Sequence, residues 1–450
     1  MAIVHSASPQ SGVIIEGDAV ASAEFSNRVY TWLRISMRSI TIVSLTILLF
    51  LVPTFRAIET LPAQLSDSEF WGLIADSSED GGTFLSENFL SNERGFQYVI
   101  PPLLQEIQSG GVYMGVGPEQ NFTYVAAFHP KIAFVVDIRR QNMIEHLLYK
   151  AVFEMSPNRA EFMSRLFSRK APAELNAGSS VDELFSAFAA VPLDPEYHQR
   201  NLDSVKDLLW KEHKFGLTTE DEASLEHVYD AIVKAGTTLG YSVSDPNLAG
   251  RVITTRIFDS TTGISDVTVL TPTDLTSQYR ILRIPGSPND PEVLVSPPKY
   301  TVTTFPTYSD LMTATDGNGV KRSYLTSESN YRTVRELQQK NLIVPLVGDF
   351  AGPKAIQAVG KYLSNHNATV SVFYLSNVEQ YLAPTEKLKR FYENVATLPL
   401  NESSSFIRSA QATGVQPGIV QSYSSPVRDV LDAVIEDRAQ TFNDILRLSH

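Results

Sequence analysis

The 450-residue sequence has the composition of an ordinary folded protein with an acidic charge balance. Its 37 Lys and Arg against 50 Asp and Glu give a formal net charge of −13, and 43% of its residues are hydrophobic. This balance argues against a general nucleic-acid binder, because attraction to phosphate needs a basic surface. The absence of cysteine excludes disulfides, thiolate metal sites, cysteine nucleophiles and lipid attachment through cysteine. The length suits two or three domains, or one large domain with an insertion.

An uncharged, strongly apolar segment lies near the N-terminus. Residues 39–55 carry no charge, and at about 1.5 Å per helical residue they reach roughly 26 Å, the short limit of a membrane span. Three arginines lie between residues 28 and 38, and positive charge on this side predicts a cytoplasmic N-terminus and an exported C-terminal body. Residues 1–38 read as a flexible tail.

Three interpretations of this apolar segment compete. A single-pass membrane anchor is favoured, because Pro53 ends the run and no globular partner lies upstream. A cleaved signal peptide is the second interpretation, and the protein would then be secreted without residues 1–63. A buried core helix is the third.

Residues 66–450 alternate helical and strand patterns, which predicts an α/β domain. Residues 132–136 are almost all apolar, as expected for a parallel strand that is covered on both faces. Residues 140–237 are mainly helical in pattern, with Thr219 as an N-cap and Gly236 as a stop. Further strands are predicted at 111–116, 342–348 and 369–375, and helices at 99–107, 119–128, 353–363 and 426–448.

The character of the sequence changes between residues 247 and 305. Pro, Thr, Ser and Val dominate there, and short apolar runs alternate with Pro-Gly turns. This predicts a β-rich insertion, or a long lid, within the α/β domain.

The motif GGVYMGVGPEQN, which ends at Asn121, is the most informative stretch. A glycine turn between a strand and a helix lets the backbone approach a ligand closely. Asp137 closes the next strand 22 residues after Gly115, and an acid at that point can accept both hydroxyls of a ribose. The alternative is that Gly115 and Gly117 only make a tight turn.

Here the sequence resembles the class I S-adenosylmethionine-dependent methyltransferases, and in particular an uncharacterised methyltransferase-like bacterial family. The resemblance rests on GGVYMGVGPEQNF, on FVVDIRRQN and on NLIVPLVGDFAGPKAIQAVGKYL, within segments that cover most of residues 68–240 and 306–400. It implies a doubly wound, Rossmann-like sheet with a helical segment and a β-rich insertion. It also implies S-adenosylmethionine as the cofactor.

The family pattern carries over to individual residues. The resemblance implies that Gly115 and Gly117 hold the methionine end of the cofactor and that Asp137 holds the ribose. The sequence departs from the family where Met114 replaces an acid and where Glu119 stands at the third glycine position. Glu119 and Asn121 are further candidate cofactor ligands, because both carry polar groups.

Other polar residues follow the later strands, where a substrate would bind if the strands are parallel. Asp349 follows one strand, and Asn377 and Glu379 follow the next; these three are the candidate catalytic residues. Asp349 and Asn377 also suit plain helix caps. The polar segment 86–93 either folds over the pocket or starts the helix that follows. The scattered histidines show no metal-ligand spacing, so no metal site is predicted.

Two functions therefore remain open. The first is a membrane-attached, methyltransferase-like enzyme that acts on a small molecule. The second is an exported, non-catalytic ligand-binding or scaffolding protein that reuses the same fold, since fold alone does not determine activity. Neither function involves nucleic acid, and the sequence does not determine the oligomeric state.

Overall fold

The computed structural model describes residues 60–84, 87–241, 306–383, 385–411 and 420–449, together with the backbone of four strands between residues 253 and 295. The predicted tail at 1–38 and the predicted membrane or signal segment at 39–55 lie outside these residues. Among the helices that are described, none combines the length and the apolar character needed to cross a bilayer.

The described elements alternate along the chain, and the prediction of an α/β fold is confirmed. The strands are β1 (Val112–Gly115), β2 (Ile132–Asp137), β3 (Ile253–Asp259), β4 (Gly263–Val269), β5 (Arg280–Arg283), β6 (Val293–Val295), β7 (Ile343–Val347), β8 (Val370–Ser376), β9 (Ser405–Gln411) and β10 (Val420–Pro426). The helices are α1 (Asp67–Ser77), α2 (Ile100–Glu106), α3 (Gln120–Phe128), α4 (Arg140–Met155), α5 (Arg159–Phe167), α6 (Val181–Ala190), α7 (Pro195–Lys206), α8 (Thr219–Ala235), α9 (Tyr308–Thr313), α10 (Glu328–Gln339), α11 (Ala355–Asn365), α12 (Val378–Leu382), α13 (Lys387–Val395), α14 (Val427–Ile435) and α15 (Phe442–Leu446).

A mixed six-stranded sheet forms the centre of the fold, with the order β10-β9-β8-β1-β2-β7. Five neighbouring strands are parallel, and β10 pairs antiparallel with β9 at one edge. Every residue of β1, β2 and β7 is buried. Their apolar sequences follow from this position, because a parallel strand covered on both faces has no polar side.

The order of the strands reverses between β1 and β8. From β1 the chain adds β2 and then β7 on one side, and it next returns to place β8 and β9 on the other side of β1. The connections that leave β1 and β8 therefore diverge. Such a divergence opens a crevice beyond the carboxyl ends of the two strands.

Helix α4 begins directly behind β2 and is anchored at its far end by a buried charge network. The Lys150 ammonium is 1% exposed, contacts the Glu154 carboxylate at 2.5 Å and donates to the Gln338 carbonyl at 2.7 Å. His213 in turn contacts Glu154 at 2.8 Å and Asp67 at 3.0 Å. These bonds hold α4 against α1 and α10, which stabilises the position of its N-terminus at the crevice.

Local signals at the helix ends explain two differences from the sequence predictions. Helix α8 is capped by Thr218, whose hydroxyl accepts from the Asp221 amide, and not by Thr219, which is its first residue. The predicted stop at Gly236 is the C-cap. Helix α11 starts at Ala355 rather than at Pro353, since residues 350–354 form a turn.

Residues 253–295 contain a second, antiparallel sheet of the order β3-β4-β5-β6. It falls within the segment 247–305, for which the sequence predicts a β-rich insertion. β3 and β4 are rich in the β-branched residues Ile, Val and Thr, which are enriched in strands.

Candidate functional site

A cavity of about 270 Å³ lies at the carboxyl ends of four neighbouring parallel strands, β8, β1, β2 and β7. Residues that directly follow β1, β2, β7 and β8 form much of its wall, and residues between 83 and 93 form another part. The cavity lies at the reversal of strand order, where open α/β sheets bind their ligands. Its size is near that of pockets for small organic molecules, and its lining mixes aromatic, aliphatic and charged side chains.

Two glycines shape the turn that follows β1. Gly117 lines the cavity and has a φ of 76°, in the left-handed region that glycine enters without steric cost. At Gly115 a Cβ would lie against the side-chain oxygen of Asn121. Asn121 accepts from the Tyr113 hydroxyl at 2.8 Å and donates to the carbonyls of residues 116–118. Gly115 and Asn121 therefore stabilise the turn without lining the cavity, whereas Gly117 lines it.

Asp137 also lines the cavity, where Arg139 holds its carboxylate. The Arg139 amide and Nε donate to Oδ1 at 2.9 and 3.0 Å, and Nη2 donates to Oδ2 at 3.0 Å. Burial opposes the charge on Arg139, but the Asp137 carboxylate outweighs it and raises the guanidinium pKa. The Asp137 carboxylate is thereby fixed in the wall, with acceptor capacity left on Oδ2.

Asp349 and Asn377 line the same cavity from β7 and β8. The Lys387 ammonium donates to Asp349 Oδ2 at 2.7 Å, and the Ala351 amide donates to Oδ1 at 3.0 Å. Asp349 is not a helix cap, since Lys354 is the residue that precedes α11. Asn377 occupies the N-cap position of α12 but makes no side-chain capping bond. The structure thus brings Gly117, Asp137, Asp349 and Asn377 to one cavity.

Glu379 lies elsewhere, in the interior between α12 and β9. Its carboxylate contacts the Arg408 guanidinium at 2.5 Å and accepts from the Tyr392 hydroxyl. The Glu379 and Arg408 side chains are both 0% exposed. Glu379 therefore holds α12, which carries part of the cavity wall, and does not itself line the cavity.

Glu119 is also buried and does not line the cavity. Within the described ranges, neither oxygen of its carboxylate has a hydrogen-bond partner, and the same is true of Glu145 on α4. Burial raises the pKa of Glu119 to about 8 and raises that of Glu145 well above its usual range. On the same helix, burial lowers the pKa of His146 to about 4, while Nε2 of this histidine contacts the Gly117 carbonyl at 2.9 Å. Burial thus disfavours the charged form of both carboxyls in the interior behind the turn.

The site contains residues that the sequence patterns did not assign as ligands. Glu93 and Gln120 line the cavity, and both are 2% exposed. Gln120 comes shortly after the glycine turn, and Glu93 ends the polar segment 86–93. Their positions along the chain were therefore the available signal that these residues line the cavity. That segment contributes to the cavity wall and does not start the next helix, because α2 begins at Ile100.

Two aromatic rings contact each other across part of the cavity wall. Phe84 and Tyr381 meet edge to face with ring centroids 5.1 Å apart, and both line the cavity. Tyr381 is 44% exposed, so the pair stands at the solvent side. Within the ranges that the structure describes, no three acidic or histidine side chains converge in a metal-binding arrangement.

The chain belongs to the family described as Domain of unknown function (DUF7790). The profile of this family matches residues 88–178 and 299–437, which together make up about half of the chain. The two matched segments include β1, β2, β7, β8, β9 and β10, hence the whole six-stranded sheet. A search of the curated proteins finds no match.

Proposed function

We propose that the cavity binds S-adenosylmethionine and that the protein is a membrane-attached, methyltransferase-like enzyme that acts on a small molecule. Residues 39–55 would provide the anchor. The observation that carries this proposal is the position of the cavity at the reversal of strand order. Numbered along the chain, the six strands lie in the order 3-2-1-4-5-6, which is the order of doubly wound nucleotide-binding sheets. This supports a Rossmann-like fold, although the sixth strand is antiparallel.

The residues around the turn after β1 fit a nucleoside cofactor. A Cβ at Gly117 would meet nothing closer than the Gln120 amide nitrogen at 3.6 Å, so its backbone faces open space. Asp137 presents the remaining lone pairs of Oδ2, which are suited to a ribose hydroxyl. These two residues would hold the cofactor. The cofactor would supply the methyl group that is bound to its sulfonium sulfur.

Other residues of the cavity wall suit an acceptor molecule. Methyl transfer depends mainly on the positioning of the acceptor, because the leaving group is already activated. Asn377 would orient the acceptor through its amide, and Asp349 would take a proton from it if the nucleophile carries one. The Lys387 ammonium at 2.7 Å keeps Asp349 in place for this role. Glu379, which lies outside the cavity, would act only by holding α12.

A second function is favoured by a different observation. Met114 is 0% exposed within β1, where methyltransferases carry an acid, and Arg139 binds both oxygens of Asp137. A site modified in this way suits an exported, non-catalytic ligand-binding or scaffolding protein. A reporter fused after His450 separates the two functions, because activity of a cytosol-only reporter contradicts the exported version.

The test of the proposed function is calorimetry with the full chain in a mild detergent. S-adenosylmethionine and S-adenosylhomocysteine are titrated into the natural protein, into Asp137→Asn and into Glu196→Gln, whose side chain is 90% exposed. We expect micromolar binding, weakened about tenfold or more by Asp137→Asn through loss of a charged acceptor, and unchanged in Glu196→Gln. Absence of binding at millimolar ligand would overturn the cofactor assignment. The thermal unfolding midpoint of each variant shows whether it remains folded.

A further inference from the structure

Two residues that line the cavity each carry a buried hydrogen-bond acceptor with no partner in the described part of the chain. Oε2 of Glu93 and Oε1 of Gln120 have no hydrogen-bond partner among the described residues, and both residues are 2% exposed and line the cavity. An unpaired buried acceptor destabilises the folded protein, and more so when the acceptor is charged. Two such atoms in one cavity therefore indicate a ligand group that donates hydrogen bonds.

The other atoms of these two side chains are already engaged and hold them in place. Ser376 donates to Oε1 of Glu93, and the amide nitrogen of Gln120 donates to the Tyr374 hydroxyl at 2.7 Å. Ser376 adopts a φ of 51°, an uncommon value for a residue other than glycine. Strained backbone of this kind persists where the surrounding structure fixes it, as in ligand sites.

The charges in the cavity wall show which kind of donor fits. Asp137 is paired with Arg139, and Asp349 is paired with Lys387. Among the charged residues that line the cavity, this leaves the Glu93 carboxylate without a cationic partner in the described part of the chain. Burial raises the pKa of Glu93, while the hydroxyls of Ser376, Ser409 and Tyr374 oppose that rise. A positively charged donor would neutralise the Glu93 carboxylate and donate a hydrogen bond to its Oε2.

We propose that Glu93 and Gln120 form a binding site for an alkylammonium group of the ligand. An ammonium has three donors and a positive charge, so it can serve both acceptors and still donate to a third group. This ammonium site rests on the proposed function, in which the same cavity holds the cofactor. The ammonium belongs either to the cofactor or to the methyl acceptor, and the experiment below distinguishes these sources.

The experiment compares three probes on the full chain in detergent. S-adenosylhomocysteine carries the amine, 5′-methylthioadenosine is the same nucleoside without it, and n-butylammonium is the amine alone. Binding is measured by calorimetry or by ligand-observed NMR on the natural protein, on Glu93→Gln and on the exposed-site control Glu196→Gln. Glu93→Gln keeps the shape of the side chain and its bond to Ser376, so the variant is expected to fold.

Two results support the ammonium site. If Glu93→Gln weakens S-adenosylhomocysteine by about tenfold or more and leaves 5′-methylthioadenosine unchanged, the amine is that of the cofactor. If n-butylammonium binding depends on Glu93 while S-adenosylhomocysteine binds both proteins alike, the amine is that of the acceptor.

The remaining results separate failure of the site from failure of the proposed function. If neither nucleoside binds but n-butylammonium binds in a Glu93-dependent manner, the ammonium site stands and the cofactor assignment fails. If the nucleosides bind and no probe responds to Glu93→Gln, the ammonium site is overturned and the cofactor assignment stands. If no probe binds the natural protein at millimolar concentration, both are overturned.

Discussion

Arg139 donates two hydrogen bonds from its guanidinium to the Asp137 carboxylate, from Nε to Oδ1 and from Nη2 to Oδ2, each at 3.0 Å. The two side chains are 6% and 7% exposed, so this ion pair is nearly removed from water. A third guanidinium nitrogen, Nη1, donates to the Glu87 carbonyl. Arg139 therefore connects the end of β2 to the segment that covers the cavity, and it fixes the carboxylate that would meet the ligand.

Removal of Arg139 should be far more costly than removal of its neighbour Arg140. Loss of one member of a buried ion pair leaves an uncompensated charge, so we expect Arg139→Gln to lower the free energy of unfolding by about 3 kcal/mol. Arg140 is 43% exposed, and its partner Asp221 also accepts from the Thr218 amide at 2.9 Å; Arg140→Gln should therefore cost about 1 kcal/mol. Urea unfolding of the two variants measures the difference. Equal losses would show that the Arg139 pair has no special role in stability.

The buried carboxyl of Glu119 should make the protein less stable as the pH rises. Its pKa is about 8 in the folded state and about 4.3 in an unfolded chain. Between these values the unfolded chain has released its proton while the folded protein still binds it, so the free energy of unfolding falls as pH rises. Glu119→Gln removes this effect and should stabilise the protein by roughly 3 kcal/mol at pH 7, and hardly at all at pH 4.

Thermal unfolding of Glu119→Gln between pH 4 and pH 9 tests this expectation. The surface variant Glu196→Gln serves as the control, because its side chain is 90% exposed. A stability gain that stays constant with pH would mean that Glu119 is ionised throughout, and the assigned cause would then be wrong.

The two glycines of the turn should respond differently to the same substitution. A methyl group at Gly117 fits the available space and meets only the cost of a positive φ, about 1 kcal/mol. At Gly115 it would strike the Asn121 side chain and lie 2.7 Å from the Tyr113 hydroxyl. Gly115→Ala should therefore displace Asn121, lose its bonds to the turn and cost about 3 kcal/mol.

Comparison of Gly115→Ala and Gly117→Ala in urea unfolding and in calorimetry with S-adenosylhomocysteine checks this ranking. We expect Gly117→Ala to remain folded with weakened binding, because the added methyl group faces the cavity. Greater instability of Gly117→Ala would contradict the assignment of Gly115 as the residue that organises the turn.

Glu379 and Arg408 should behave as a structural pair. Either single substitution to Met leaves a fully buried charge without its partner and should cost about 3–5 kcal/mol. The double substitution removes both charges, and buried ion pairs replaced by apolar residues are often neutral in stability. We therefore expect the double variant to be more stable than either single one. Additive losses in a double-mutant cycle would indicate that the two charges are not coupled.

Much of the architecture follows from local patterns in the sequence. The apolar runs of β1, β2, β7 and β8 mark buried parallel strands because a strand covered on both faces has no polar side. The carboxyl ends of parallel strands share one edge of a sheet. The positions of Gly117, Asp137, Asp349 and Asn377 along the chain, each just after such a strand, therefore predict that they meet at a common edge.

Tertiary packing decided what those residues do. Glu379 follows β8 closely, yet the buried guanidinium of Arg408 from β9 draws it into the interior and away from the cavity. Sequence spacing does not reveal that pairing, since the two residues meet only once β8 and β9 lie side by side. Likewise, the sequence does not reveal that Arg139, two residues from Asp137, forms a buried ion pair with it and also donates to the Glu87 carbonyl.

Sequence alone thus determined the class of fold, the strands β1, β2, β7 and β8 and the edge at which a ligand would bind, because these depend on periodicity and on the geometry of parallel strands; it did not predict β9 and β10. Only the tertiary structure decided which charges are neutralised and which acceptors stay free. Glu93 and Gln120 lie in separate segments, and both line one cavity because β8 packs beside β1 and brings Ser376 to one residue and Tyr374 to the other. The free energy of a buried charge depends on such distant partners, and these are set by packing rather than by neighbours along the chain.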